Sequence, residues 1–250
     1  MIWTIAAREL KGLFLSPLAW VVLTVVQAIL AFIFLTRIEE YLYMQPQLLA
    51  LDNPPGVTEL VVGRLFGSAA IVLLLVVPLL TMRLVSEERR NHTLTLLRSA
   101  PISATEIVLG KYLGALLFIF ILLLLIALMP LSLYVATTLD IGVVLSGLVG
   151  LALLLAGFIA VGLFMSTLTQ HPTVASVATF GVLLLFWLLG SVGSNDSGEA
   201  SWLASLSSLN HYEPFLRGVF DSNDAVYHVL FVATFLVLSV RRLDADRLGG

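Results

Sequence analysis

The sequence predicts an all-α polytopic membrane protein. Its parts are six transmembrane helices, an N-terminal amphipathic interfacial helix, a cytoplasmic coupling helix and a re-entrant or interfacial outer segment before the last span. Three observations predict this fold class. The 250 residues are 59% hydrophobic and 12% charged, with a mean hydropathy of +1.04, whereas soluble domains carry roughly 25% charged residues. That much apolar surface does not fit inside one globular core, so lipid must be its solvent. Six stretches are long and apolar enough to cross a bilayer, which takes about 20 residues. Finally, ten of the 13 Lys and Arg residues gather on one side of those stretches.

The predicted spans, all within a single transmembrane domain over 1–250, are residues 17–36, 65–82, 112–136, 143–168, 173–192 and 224–240. Before the first span, residues 1–15 place Trp3, Ile5, Leu10, Leu13 and Phe14 around Arg8, Glu9 and Lys11. That pattern suits a helix lying in the inner membrane interface. Ser16-Pro17 then gives an N-cap and a proline at the first helical position. The apolar run from Leu13 to Thr36 far exceeds the roughly 7–15 residues of a signal-peptide core and is expected to be retained. Pro78 is expected to kink the second span. Only Thr169, Gln170, His171 and Pro172 separate the fourth and fifth spans, which makes a tight hairpin. Asp140 and Asn223 are placed to cap the fourth and sixth spans.

Two connecting segments are expected on the outer side. Arg37–Arg64 is polar, contains Pro46, Pro54 and Pro55, and would hold Tyr41 and Tyr43 at headgroup level. Residues 193–222 begin with a flexible polar run, then set Trp202, Leu203, Leu206 and Leu209 at helical spacing. That stripe is too short to cross and reads as interfacial or re-entrant.

Charge fixes the expected orientation. With the N-terminus inside, Arg8, Lys11, Arg83, Arg89, Arg90, Arg98, Lys111, Arg241, Arg242 and Arg247 are cytoplasmic, and only Arg37, Arg64 and Arg217 are outside. Both termini are therefore expected in the cytoplasm.

The loop over residues 83–111 carries more instructions than a passive connector needs. Ser86 can cap a short helix whose first turn holds Glu87 and Glu88 and whose end holds Arg89 and Arg90. Leu94 and Leu97 would share a face, three residues apart, and Pro101 would end the segment. A second helix starts at Ser103, where Ser103-Ala104-Thr105-Glu106 is a capping box with Ile102 and Ile107 at the staple positions. It would run through Lys111 into the third span. The basic residues alone could serve anionic lipid, but lipid contact does not account for the leucine face or the two acids.

The chemistry that is missing is equally informative. No phosphate-binding G-x-x-x-x-G-K-[ST] occurs, because Gly110-Lys111 is followed by Tyr112 at a span entrance, and H-E-x-x-H and G-x-S-x-G are absent too. Zero cysteines exclude disulfides and thiolate chemistry. His92, His171, His211 and His228 are scattered over different loops and span ends, an unpromising set for a metal. Span interiors hold essentially no ionisable side chains, only Gln27 and hydroxyls such as Ser132, Ser146, Ser166, Thr167, Ser176 and Thr179, read as satisfying neighbouring helices. Gly147, Gly150, Gly157 and Gly162 point to close packing along the fourth span.

The run PLLTMRLVSEERRNHTLTLLRSAPISATEIVLGKYLGA resembles the first cytoplasmic loop of type-2 ABC exporter permeases, closest to the gliding-motility (GldF-like) subgroup. The family's two acids, basic pair, threonine, leucines, proline and Gly-Lys fall on Glu87, Glu88, Arg89, Arg90, Thr93, Leu94, Leu97, Pro101, Gly110 and Lys111. His92 replaces the usual glycine before the threonine. ARELKGLFLSPLAW and HYEPFLRGVFDSNDAVY resemble the family's amphipathic first helix and its stretch before the last span.

The resemblance implies a non-catalytic permease subunit of a bacterial inner-membrane exporter. It would pair with a second permease copy, identical or related, and with two ABC ATPase subunits. Those subunits would hold ATP and magnesium, this chain binding no cofactor, and would dock on the loop around Glu87–Ile102 and on the first helix near Arg8, Glu9 and Lys11. Export of a hydrophobic or amphipathic substrate, or transmission of force, would follow. The outer segment would form the family's re-entrant pair. A periplasmic or auxiliary membrane protein is a further candidate partner, and nucleic acid is not one. The alternative reading is an ATP-independent secondary carrier or channel, disfavoured by the absence of a buried acid or histidine relay. An intramembrane enzyme lacks any acid, base or metal cluster.

Overall fold

The computed structural model describes residues 1–48, 56–91, 102–135, 137–192 and 205–248. Among these residues every regular element is helical. The first helix, α1 (Ile2–Leu15), is followed after Ser16 by α2 (Pro17–Leu48). A π-helical segment, Thr58–Gly63, runs directly into α3 (Arg64–Thr81). The short α4 (Ser86–Arg90) precedes α5 (Ala104–Leu133), α6 (Ile141–Leu168) and α7 (Pro172–Val192). The one-turn α8 (Glu213–Leu216) and the long α9 (Ser222–Leu248) complete the chain. Six of these helices are long and apolar enough to cross a membrane.

Capping chemistry accounts for several helix starts. Ser16 Oγ accepts from Leu18 N–H at 3.3 Å. Ser103 forms the full capping box with Glu106: its Oγ accepts from Glu106 N–H, and the Glu106 carboxylate accepts from Ser103 N–H. Asp140 accepts from Gly142 and Val143. Pro172 opens α7.

Other boundaries differ from the expectation. The helix of the first span runs past residue 36; α2 continues to Leu48 with Tyr41 and Tyr43 on the helix. An ion-pair bridge braces this extension, since Glu40 accepts from Arg37 at 2.7 Å and from Arg64 at 3.1 Å. At the start of α9 the capping oxygen is Asp221 Oδ1, which accepts from Asn223 N–H at 2.9 Å. Asn223 itself lies in the first turn. Leu206 and Leu209 sit in turns rather than in a helix, while Trp202 and Leu203 lie outside the described residues.

The fourth span, α6, is the hub of the bundle. It packs against α3, α5, α7, α8 and α9, while α1 lies along α5. The apolar window of α6 is 61% buried, against 17% for α7 and for α9, so lipid or another protein must cover those two helices. Its glycines are where partners press in. A methyl group on Gly150 would collide with the Phe215 side chain, and Gly147 and Gly157 face Phe66 and Phe231. The segment before α9 is thereby seated: Phe215 fills the space over Gly150, and Tyr212 O–H donates to the Phe66 carbonyl at 3.1 Å. Burial holds that phenol well above its ordinary pKa, so it remains a donor.

The candidate coupling junction

The predicted loop begins with α4, and α4 is tied to four other elements. The first tie is at its N-terminus. Helix starts leave backbone N–H groups without intrahelical partners, and Ser86 was expected to satisfy them here. Instead Ser166 of α6 does so in trans: its Oγ accepts from Val85 N–H and Ser86 N–H, both at 3.0 Å, and donates to the Met82 carbonyl at 3.1 Å. The Ser86 hydroxyl donates backwards to Met82 O. Both serines are fully buried.

The second and third ties meet at Lys111. Its side chain is 1% exposed, and its ammonium donates to Glu88 Oε1 at 2.9 Å and to Glu9 Oε2 at 3.2 Å. Glu88 also accepts from Arg8 at 3.3 Å. One lysine on α5 therefore holds a carboxylate from α1 and a carboxylate from α4. Among the described residues two cations and two carboxylates balance within the group, which is how an ammonium this buried avoids the cost of an unpaired charge.

The approach of α1 to α5 makes this geometry reachable. Gly110 and Gly114 bracket Lys111 on one face of α5. A methyl group at Gly110 would stand 2.6 Å from Ile5 Cβ, and one at Gly114 would stand 2.7 Å from Glu9 Cβ and 2.9 Å from the Ala6 carbonyl. Ala6 is fully buried at the contact. Small residues on both helices let the backbones approach until Glu9 reaches Lys111.

The fourth tie joins α4 to the end of the chain. Arg89 pairs with Asp246 near the end of α9, and Arg242 approaches the same carboxylate at 3.7 Å. Glu88 and Arg89 therefore face inward, to Lys111 and Asp246. Glu87 is half-buried and Arg90 exposed. Thr93, Leu94, Leu97 and Pro101 lie outside the described residues, as does His92. Ile102 is half-buried, and it borders an open groove of about 560 Å³ with Ile5, Arg8 and Lys11. Of the expected docking residues, Arg8, Lys11 and Ile102 thus share one depression.

Sequence reasoning read Lys111 only as a basic residue at a span entrance. It also took span interiors to be nearly free of ionisable groups, yet His228, within the predicted sixth span, is 1% exposed. The available signal for Lys111 was the Gly110-Lys111-x-x-Gly114 spacing, which puts two small residues on one helix face beside a cation. Among the described residues no group of three metal-ligating side chains forms.

A comparison with curated proteins finds no match. A family model described as ABC-2 family transporter protein matches residues 3–218, most of the chain and all of the junction except its tie to Asp246. The span count and the tied loop helix agree with that match. The chain belongs to the ABC-2 family of transporter proteins, the membrane permease subunits that work with an ABC ATPase.

Proposed function

We propose that this chain is the permease through which a separate ABC ATPase drives export of a hydrophobic or amphipathic substrate, or transmits force, across the bacterial inner membrane. In this reading both termini and the loop over 83–111 are cytoplasmic. Two ATPase subunits serve a pair of permeases, identical or related. ATP and magnesium stay on the ATPase. The placement with the gliding-motility subgroup rests on the loop sequence.

The observation that carries the proposal is the attachment of α4. A helix held by Lys111, Ser166 and Asp246 cannot be displaced without displacing α1, α5, α6 or α9. An ATPase that moved the loop would therefore move the spans. A lipid-facing connector has no need of such fastening. Nor does Lys111 suit a proton-coupled carrier, because it sits at the loop end of its span with both carboxylate partners in place.

In this account Leu94 and Leu97 insert into a groove on the ATPase. Apolar anchors in desolvated pockets commonly carry about 2 kcal/mol or more each. Leu94→Asp and Leu97→Asp should release the ATPase in co-purification while membrane insertion is unchanged. Arg90→Ala should be mild and matter more at low salt. Leucine variants that keep full ATPase binding and stimulated hydrolysis would reduce the loop to a connector.

A further inference from the structure

We propose that the cleft between α1 and the loop-side ends of α2 and α3 binds a zwitterionic phospholipid with a primary ammonium, its phosphate on Arg83 and its ammonium on Glu87. The cleft has a volume of about 410 Å³, within the roughly 300–1,000 Å³ range of small-molecule sites. Its walls change character along the membrane normal. Leu18 belongs to the first turn of α2, and Leu79 and Leu80 to the last turn of α3, while Arg83 and Glu87 line the part beyond the span. Trp20, next in sequence to Ala19 of this wall, is 58% exposed, and tryptophans are enriched at headgroup level. An acyl chain can follow Leu79, which is 43% exposed, while the headgroup occupies the polar part.

Charge decides which headgroup fits. Arg8, Glu9 and Glu88 also line the cleft, but with Lys111 they neutralise one another. Arg83 and Glu87 remain, and among the described residues neither makes an ion pair. One cation and one anion left over on the wall of the same cleft complement a phosphate and an ammonium. An anionic headgroup would satisfy Arg83 and be repelled by Glu87. A quaternary ammonium has no N–H to donate to the carboxylate. A phosphodiester on a guanidinium and an ammonium on a carboxylate both form charge-assisted hydrogen bonds. Such a lipid would fill the wedge between α1 and the spans, beside the Lys111 cluster.

The test is lipid retention by the full chain purified in detergent. Phosphatidylethanolamine, phosphatidylcholine and phosphatidylglycerol are titrated in turn, and bound lipid is counted by native mass spectrometry. The ethanolamine lipid should be held about tenfold more tightly than the other two, the worth of one charge-assisted hydrogen bond. Glu87→Gln should erase that preference, Arg83→Gln should weaken retention of all three lipids, and Arg83→Lys should keep most of it. Equal retention of the three lipids, or a preference that survives Glu87→Gln, overturns the proposal. So does tighter binding of the glycerol lipid that only Arg83→Gln abolishes, because that describes an anionic site. Should a variant melt early, a photoactivatable ethanolamine lipid decides: crosslinks to residues 8–19 and 79–88 support the site, and crosslinks elsewhere overturn it.

Discussion

Lys111 on the third span and Glu88 on the loop helix lie 2.9 Å apart with 22 residues of chain between them, and Glu9 of the first helix meets the same ammonium at 3.2 Å. Membrane helix, interfacial helix and loop are thus fastened at one atom. The consequences of cutting that fastening can be measured.

Replacing Lys111 by Met leaves two carboxylates facing each other without their shared cation. Breaking a buried pair by removing one partner costs roughly 3–5 kcal/mol, and the lower end applies here because Glu9 and Glu88 keep side-chain exposures of 18% and 20%. Thermal melting in detergent should show that loss. Adding Glu88→Gln to Lys111→Met should recover part of it, and a double-mutant cycle reads the coupling. Strictly additive effects would mean that the two residues do not interact.

The glycine seat can be tested independently of charge. Gly114→Ala places a methyl group 2.7 Å from Glu9 Cβ, and such overpacking costs typically about 1–3 kcal/mol. Helix propensity alone would favour alanine by about 1 kcal/mol, so the two effects have opposite signs. A net loss in melting temperature, together with easier proteolysis of residues 1–15, is the expected result. A more stable variant would show that α1 does not depend on this contact.

Ser166→Ala removes the acceptor for two buried N–H groups, those of Val85 and Ser86. Leaving such donors unsatisfied costs about 1–3 kcal/mol each before any water enters. The variant should lower stability by about 2 kcal/mol and raise amide exchange at residues 84–88, whereas Ser103→Ala should cost about 1 kcal/mol and act on the start of α5 alone. Hydrogen exchange read segment by segment separates the two effects.

Local signals in the sequence were legible and tertiary ones were not. The Ser103–Glu106 box, the Asp140 cap and the Pro172 start each depend on residues within one turn, so the chemistry of neighbours is enough to find them. The fourth-span glycines also stand out, and Phe66, Phe215 and Phe231 pack against three of them. The cap on α4 could not be read, because Ser166 is 80 residues away from Ser86. For the same reason Glu88 and Arg89 look like solvent-facing loop charges until α5 and α9 are placed beside them. At the start of α9, Asp221 and Asn223 are both competent caps. Where the helix begins decides between them, and helix boundaries are ill-determined by sequence pattern.

Topology follows from the distribution of basic residues and can be checked directly, because the chain contains no cysteine. His92→Cys should be protected from an impermeant reagent in intact cells and label after permeabilisation. Labelling of intact cells would invert the orientation. The purified chain alone should also show no ATP turnover, gaining it only with the partner ATPase.

On the proposed function, motion of the loop reaches the spans through the Lys111 fastening. Spin labels at Asn91→Cys, on the exposed end of the loop helix, and at Ile141→Cys, at the far end of the fourth span, report the distance between the two sites by pulsed electron paramagnetic resonance. In the complex with its ATPase, ATP should shift that distance distribution. In the Lys111→Met background the ATPase should remain bound while the shift disappears. A shift of equal size with and without Lys111, at equal ATPase occupancy, would contradict the claim.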